Sequence, residues 1–191
     1  MSLTRFLLLC LLVLAGPAGA QDPAQTCRDA AGFNEQDSFV RPVTDAPKAI
    51  RLCQAALKAL PDDSQIMAYL GRALYTANRN AEARQWIEKA AKHSQVGEAL
   101  MGVTYEFGIG VPEDMGLAAE WYERGAIPTG ELSTLRGNPS AQYNLGMIYL
   151  QGKADAAGEQ YARFRKNPEQ AAKWLIRSAD QGDELAQLKL G

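Results

Sequence analysis

The sequence predicts an all-α chain of stacked antiparallel helix pairs, and three observations carry that expectation. First, Met101-Gly102 to Phe107-Gly108 followed by Ala118 to Ala126 is echoed by Leu145-Gly146 to Gln151-Gly152 followed by Ala171 to Ala179. A repeated helical pair sets the architecture, because one pair cannot bury its apolar face alone and must stack on a neighbour. Second, apolar residues recur every three to four positions from Ala46 onward, the spacing of a helix face. Third, no stretch of five or more residues alternates strictly with strand chemistry.

In chain order, residues 1–20 read as an export signal. Arg5 supplies the positive flank, Phe6 to Ala15 is a leucine-rich apolar run, and Gly16-Pro17 breaks it before Ala18-Gly19-Ala20. The run is too short to cross a hydrocarbon core of about 30 Å. Cleavage near Ala20-Gln21 predicts a periplasmic or secreted product. Cys10 follows Leu7-Leu8-Leu9 rather than a small residue, which argues against a lipid anchor. No later segment is apolar enough to span a membrane.

Residues 21–44 are polar and interrupted by Pro23, Gly32 and Pro42, and read as an irregular leader. Once the signal has left, Cys27 and Cys53 are the only cysteines. An even count in an oxidising compartment predicts one disulfide that tethers the leader. The repeat domain then runs over residues 45–191. Asp45-Ala46-Pro47 starts a helix that carries Ile50, Cys53, Leu57 and Leu60 inward and stops at Pro61. Gln65 to Ala77 and Ala81 to Lys92 make the next pair. Gly97 to Phe107 with Gly116 to Gly125, then Ser140 to Leu150 with Pro168 to Ala179, make two more. Glu184 to Leu190 reads as the start of another first helix. It serves either as a cap or as an apolar edge open to self-association.

Glycines and tryptophans mark the register. Gly71, Gly102 and Gly146 each follow a large apolar residue in a first helix, as does Gly191 at the end of the chain, and Trp86, Trp121 and Trp174 sit in second helices. A mid-helix glycine costs about 1 kcal/mol relative to alanine, which close approach of the paired helix can offset. The pattern Leu/Met-Gly-x-x-Tyr, then Gly-x-Gly-Val, then Ala-x-x-Trp, resembles the Sel1-like repeat. Residues 102–126 match nearly in full, with Asp114 offset by one position, and 146–182 match with a lengthened middle. Residues 71–91 are closer to the parent tetratricopeptide form, and Ala49 to Pro61 resembles a solitary second helix of such a repeat. The resemblance implies a right-handed α-solenoid that binds protein or peptide on its concave wall. In bacteria, relatives of this kind act as periplasmic regulators of sensor kinases or as envelope adaptors.

Two departures stand out. Gly71 to Trp86, Gly102 to Trp121 and Gly146 to Trp174 span 15, 19 and 28 positions. The last value places an insertion at 153–167, while a second one, 127–139, lengthens the connection after Trp121. The 153–167 insertion carries Tyr161, Arg163, Phe164, Arg165 and Lys166, a basic and aromatic cluster read either as loop contacts for a partner or as tolerated extra length.

Chemistry is sparse. His93 is the sole imidazole and sits at a helix end. Gly108-Ile109-Gly110 follows a helix rather than a strand, so no phosphate loop is supported. The chain has no catalytic constellation, implies no cofactor, and lacks the histidine and third thiol of a metal site. A net charge of −2, falling to −3 when Arg5 leaves, gives no footprint for nucleic acid. The repeat register nominates Gln65, Ala68, Arg72 and Tyr75, then Val96, Ala99, Val103 and Glu106, then Ser140, Tyr143, Met147 and Leu150 as inward-facing. Gln65, Arg72, Tyr75, Glu106, Tyr143 and Met147 are the expected protein contacts. The alternative reading is a glycan- or peptidoglycan-binding envelope protein, with Tyr161 and Phe164 as aromatic platforms. β-Lactamase-like activity, linked to cysteine-rich relatives, is remote because residues 71–191 contain no cysteine.

Overall fold

The computed structural model describes residues 22–32, 42–128 and 136–191. The expected export signal, Cys10 and the middle of the 127–139 connection lie outside the described residues. Within them the chain is helical, with no strand. The helices are α1 (Pro23–Ala31), α2 (Ala46–Ala59), α3 (Ser64–Thr76), α4 (Asn80–Ala90), α5 (Gln95–Glu106), α6 (Met115–Ala126), α7 (Pro139–Gln151), α8 (Pro168–Ala179) and α9 (Glu184–Leu190). A 3-10 helix, Glu159–Phe164, lies between α7 and α8.

Local chemistry explains the starts. Asp22, Asp45, Asp63, Asp114 and Asp183, together with Ser94, Asn138 and Asn167, each accept a backbone N–H from the first turn that follows. A side-chain cap of this kind contributes about 1 kcal/mol per helix, and among the described α-helices only α4 lacks one. Proline in the first turn of α1, α2, α7 and α8 presets the backbone angle where no N–H partner is needed.

Helices pair consecutively: α1 with α2, α3 with α4, α5 with α6, α7 with α8. The first helices then lie side by side, α1 on α3, α3 on α5 and α5 on α7, while α9 packs on α8. The core runs along the seam between the two layers, through Leu70, Leu74, Ile87, Tyr122, Leu145 and Ile148, all essentially inaccessible. Alanines at 73, 83, 118, 119, 141 and 171 fill the remainder, and their small size lets the helices approach closely.

The repeat glycines sit at these closest approaches. A Cβ on Gly102 would lie 2.8 Å from Tyr122 Cγ and nearer still to Cδ1 and Cε1. Gly71 and Gly146 repeat the arrangement against Ile87 and Leu175. The tryptophans are half-buried on the second helices, and each carries a cation three residues on. Lys89 lies 4.5 Å over Trp86, Arg124 4.0 Å over Trp121 and Arg177 4.8 Å over Trp174.

The leader reads as irregular because of its prolines, but part of it is helical. Residues 23–31 form α1, because Asp22 caps it and Pro23 occupies the first turn, so that proline opens a helix. Nine residues are too few for a helix to hold by propensity alone. Two ties hold it. The Cys27–Cys53 disulfide is present, with both cysteines fully buried. The Arg72 guanidinium donates to the carbonyls of Ala31 and Gly32 at 2.8 and 2.9 Å, closing the end of α1. Helix α2, which read as a solitary second helix, therefore has its first helix in the leader.

Candidate protein-binding surface

Three first helices, α3, α5 and α7, contribute to one groove of about 480 Å³ on their open face. Its walls are Tyr75 from α3, Val103, Glu106 and Phe107 from α5 and its end, and Tyr143, Asn144, Met147 and Gln151 from α7. Lys153, the first residue of the insertion, closes one end. The helical spacing of 143, 147 and 151 places those side chains in one row along α7. Tyr75 and Phe107 are exposed, at 38% and 58%. Tyr143 is partly buried, and burial together with the Asp183 carboxylate raises its hydroxyl pKa above the usual tyrosine range.

Glu106 holds this wall in place. Tyr122 Oη donates to its Oε2 at 2.7 Å, and Lys153 Nζ donates to its Oε1 at 2.7 Å. Burial, followed by the adjacent Glu106 charge, pushes the Tyr122 pKa well above its ordinary value, so the phenol stays protonated as a donor. The Asn144 side chain lies close enough to the same tyrosine to oppose that rise in pKa weakly. A carboxylate at the C-terminal end of α5 opposes the helix dipole, and the Lys153 ammonium offsets that opposition. With both oxygens engaged, Glu106 braces three elements from inside the groove.

Four of the six expected contacts thus come together: Tyr75, Glu106, Tyr143 and Met147. Two do not. Arg72 is buried at 6% exposure, and its Nη1 donates to the end of α1. Gln65 lies at the start of α3 beside Arg28 of α1, 3.5 Å from its guanidinium, outside the groove. Ala68, Ala99, Val103 and Ser140 are buried rather than surface-lining, because neighbouring helices cover them; only Val103 reaches the groove wall. Phe107, Asn144, Gln151 and Lys153 were missed. Phe107 is recoverable in hindsight as the large apolar residue that immediately precedes a helix-ending glycine and lies off the inward stripe.

The insertion does not present its aromatics. Tyr161 and Phe164 are buried, at 9% and 0% exposure. The Tyr161 ring covers Gly116 of α6, where a Cβ would meet its Cγ at 2.5 Å. Phe164 lies 6.2 Å, centroid to centroid, from Tyr149. Arg163 stays exposed but is committed to α6, with Glu120 at 3.0 Å and Glu123 at 3.5 Å. The physical reason is that these rings gain more from burial against α6 and α7 than from standing in water. The aromatic platforms required by a glycan-binding reading are therefore inside the fold.

Stacked helix pairs with a groove along the first-helix layer define an α-solenoid, a class whose extended surfaces bind other proteins. Family models place the chain within that class: the tetratricopeptide repeat matches residues 44–96, and the Sel1 repeat matches 96–127 and 139–183. The chain belongs to the Sel1-like, tetratricopeptide-related repeat proteins. Among solved structures, it is similar to a Sel1 repeat protein from Oxalobacter formigenes. That match has a TM-score of 0.52 and 28% identity, covering 73% of this chain and 96% of that one. It is also similar to c5321, a protective antigen present in uropathogenic Escherichia coli strains displaying an SLR fold. There the TM-score is 0.45 and the identity 22%, over 87% of this chain and 38% of that one.

Proposed function

We propose that this chain is a non-catalytic adaptor or regulator of the bacterial cell envelope, exported after cleavage near Ala20-Gln21, that grips an extended segment of a protein partner. The groove built jointly by α3, α5 and α7 supports this reading. Tyr75, Phe107, Tyr143 and Met147 offer rigid aromatic area and an adaptable thioether, a composition suited to apolar side chains of a peptide. Asn144 and Gln151 add amide groups that suit its backbone.

Affinity capture from native periplasm tests the reading. Wild-type protein is compared with a Tyr143→Ala, Met147→Glu double variant, and bound proteins are identified. Selective loss of a captured protein supports the adaptor role. Identical capture by both forms, or saturable binding to purified cell wall alone, would sink it.

A further inference from the structure

A second concavity, of about 570 Å³, lies between the second helices α4 and α6. Both helices pack on α5, which forms its floor through Met101 and Tyr105. Met101 is almost inaccessible, at 3% exposure, so the floor is apolar and recessed. Gln85, Glu88 and Lys89 of α4, with Lys92 in the turn that follows it, form one wall, and Trp121 and Arg124 form the other.

The charges of this groove are unbalanced once its internal pairs are removed. Glu88 is held by Arg84 at 2.7 Å, and Arg124 pairs with Glu98 at 3.3 Å while lying over Trp121. Lys89 lies over the Trp86 ring. Among the described residues neither Lys89 nor Lys92 has a carboxylate partner. Two ammonium groups thus stand at the rim of a recess with an apolar floor and an aromatic wall, on a chain whose net charge is −2.

We propose that this back groove docks an acidic peptide segment that carries a large apolar side chain. The apolar side chain seats on Met101 between Tyr105 and Trp121, and the flanking carboxylates face Lys89 and Lys92. The chemistry favours a peptide over other polyanions. A sulfated or carboxylated glycan supplies charge but no apolar anchor for the recess. A lipid surface is flat and cannot reach a floor set between two helices. Because this groove lies in the second-helix layer, its occupant is independent of the one in the α3–α5–α7 groove.

Fluorescence anisotropy of a labelled peptide, alternating Asp and Glu with Leu and Phe, tests the proposal. Its counterpart with Asn and Gln in place of the acids is measured beside it, as are a heparin oligosaccharide and anionic phosphatidylglycerol vesicles. The protein variants are Lys89→Glu with Lys92→Glu, both exposed positions, and Tyr143→Ala in the other groove. The expected result is saturable binding of the acidic peptide, weakened by about tenfold or more on charge reversal and by a similar factor for the amide peptide. Tyr143→Ala leaves it unchanged. Absence of saturable binding, equal affinity for the amide peptide, or indifference to charge reversal overturns the proposal. So does loss of binding in Tyr143→Ala, or preferential binding of heparin or vesicles.

Discussion

Replacing Gly102 by alanine sets two effects of opposite sign against each other. In an exposed helix interior the change stabilises by about 1 kcal/mol, because alanine loses less backbone entropy on folding. Here the new methyl group would stand 2.8 Å from Tyr122 Cγ and closer to two further ring carbons. Tyr122 is fully buried, and its hydroxyl is fixed at 2.7 Å from Glu106, so the ring cannot swing aside without giving up that bond. Overpacking a filled core costs about 1–3 kcal/mol, and a hydrogen bond to a charged group is worth about 1.5–3 kcal/mol. If half of that bond is lost, the net effect is a destabilisation of about 2 kcal/mol. For a domain of this size each kcal/mol shifts Tm by about 2–4 °C, so the variant should melt roughly 4–8 °C below wild type. Urea titration with far-ultraviolet circular dichroism gives the free energy, and calorimetry gives Tm. In a Tyr122→Leu background, itself less stable, Gly102→Ala should cost less than it does in wild type, because the obstructing ring is gone. A more stable Gly102→Ala single variant would refute the close-approach account, since helix propensity alone predicts that sign.

Reduction of Cys27–Cys53, or its replacement by serines, should cost about 3 kcal/mol, the loop entropy expected for a separation of 26 residues. Hydrogen exchange should then show α1 losing protection before α5 or α7. The raised pKa of Tyr122 makes stability pH-dependent on the alkaline side. Its contribution is fully present below the unfolded tyrosine pKa of about 10 and declines as pH rises beyond it, since the unfolded chain releases the proton first. Tyr122→Phe should flatten that decline in urea titrations taken at successive pH values. Phe164→Ala should destabilise by about 3–5 kcal/mol if the insertion is packed as described. Partner contact at Phe164 would instead leave Tm unchanged and reduce capture.

The fold was legible because the features that specify it are local and periodic. Asp63, Ser94 and Asp114 announce helix starts within four residues of chain, and the repeat glycines report where helices touch. The leader shows the limit of that reading. Asp22-Pro23 carries the same start signal as Asp45-Ala46-Pro47, but the segment that follows has little apolar surface, with only Cys27 and Ala31 buried. What makes it a helix is a bond to Cys53 and two hydrogen bonds from Arg72, 41 and 40 residues away. No window along the chain contains those partners, so Arg72 looked like a free concave cation when it is the cap of α1.

The candidate surface was legible in proportion to how strictly each residue obeys the repeat. Tyr75, Glu106 and Met147 lie four, four and one positions after their repeat glycines, and all three reach the groove. Register identifies which side a residue faces, but it does not say whether its charge is free. Glu106 faces inward as expected, yet Tyr122 and Lys153 occupy both its oxygens, and Lys153 belongs to an insertion that no repeat pattern covers. A similar distinction separates the two grooves. Glu88 and Glu98 would cancel the lysines of the α4–α6 recess in any count taken along the sequence, but Arg84 and Arg124 hold those carboxylates in the fold. Binding in the proposed back groove would therefore depend on which charges remain after the protein's own helices have paired. If Arg84→Gln released Glu88 toward Lys89 and Lys92, affinity of the back groove for an acidic peptide should fall although no residue that touches the peptide had changed. Unchanged affinity in that variant, measured by the same anisotropy assay, would show that the pairing of Glu88 does not govern the groove.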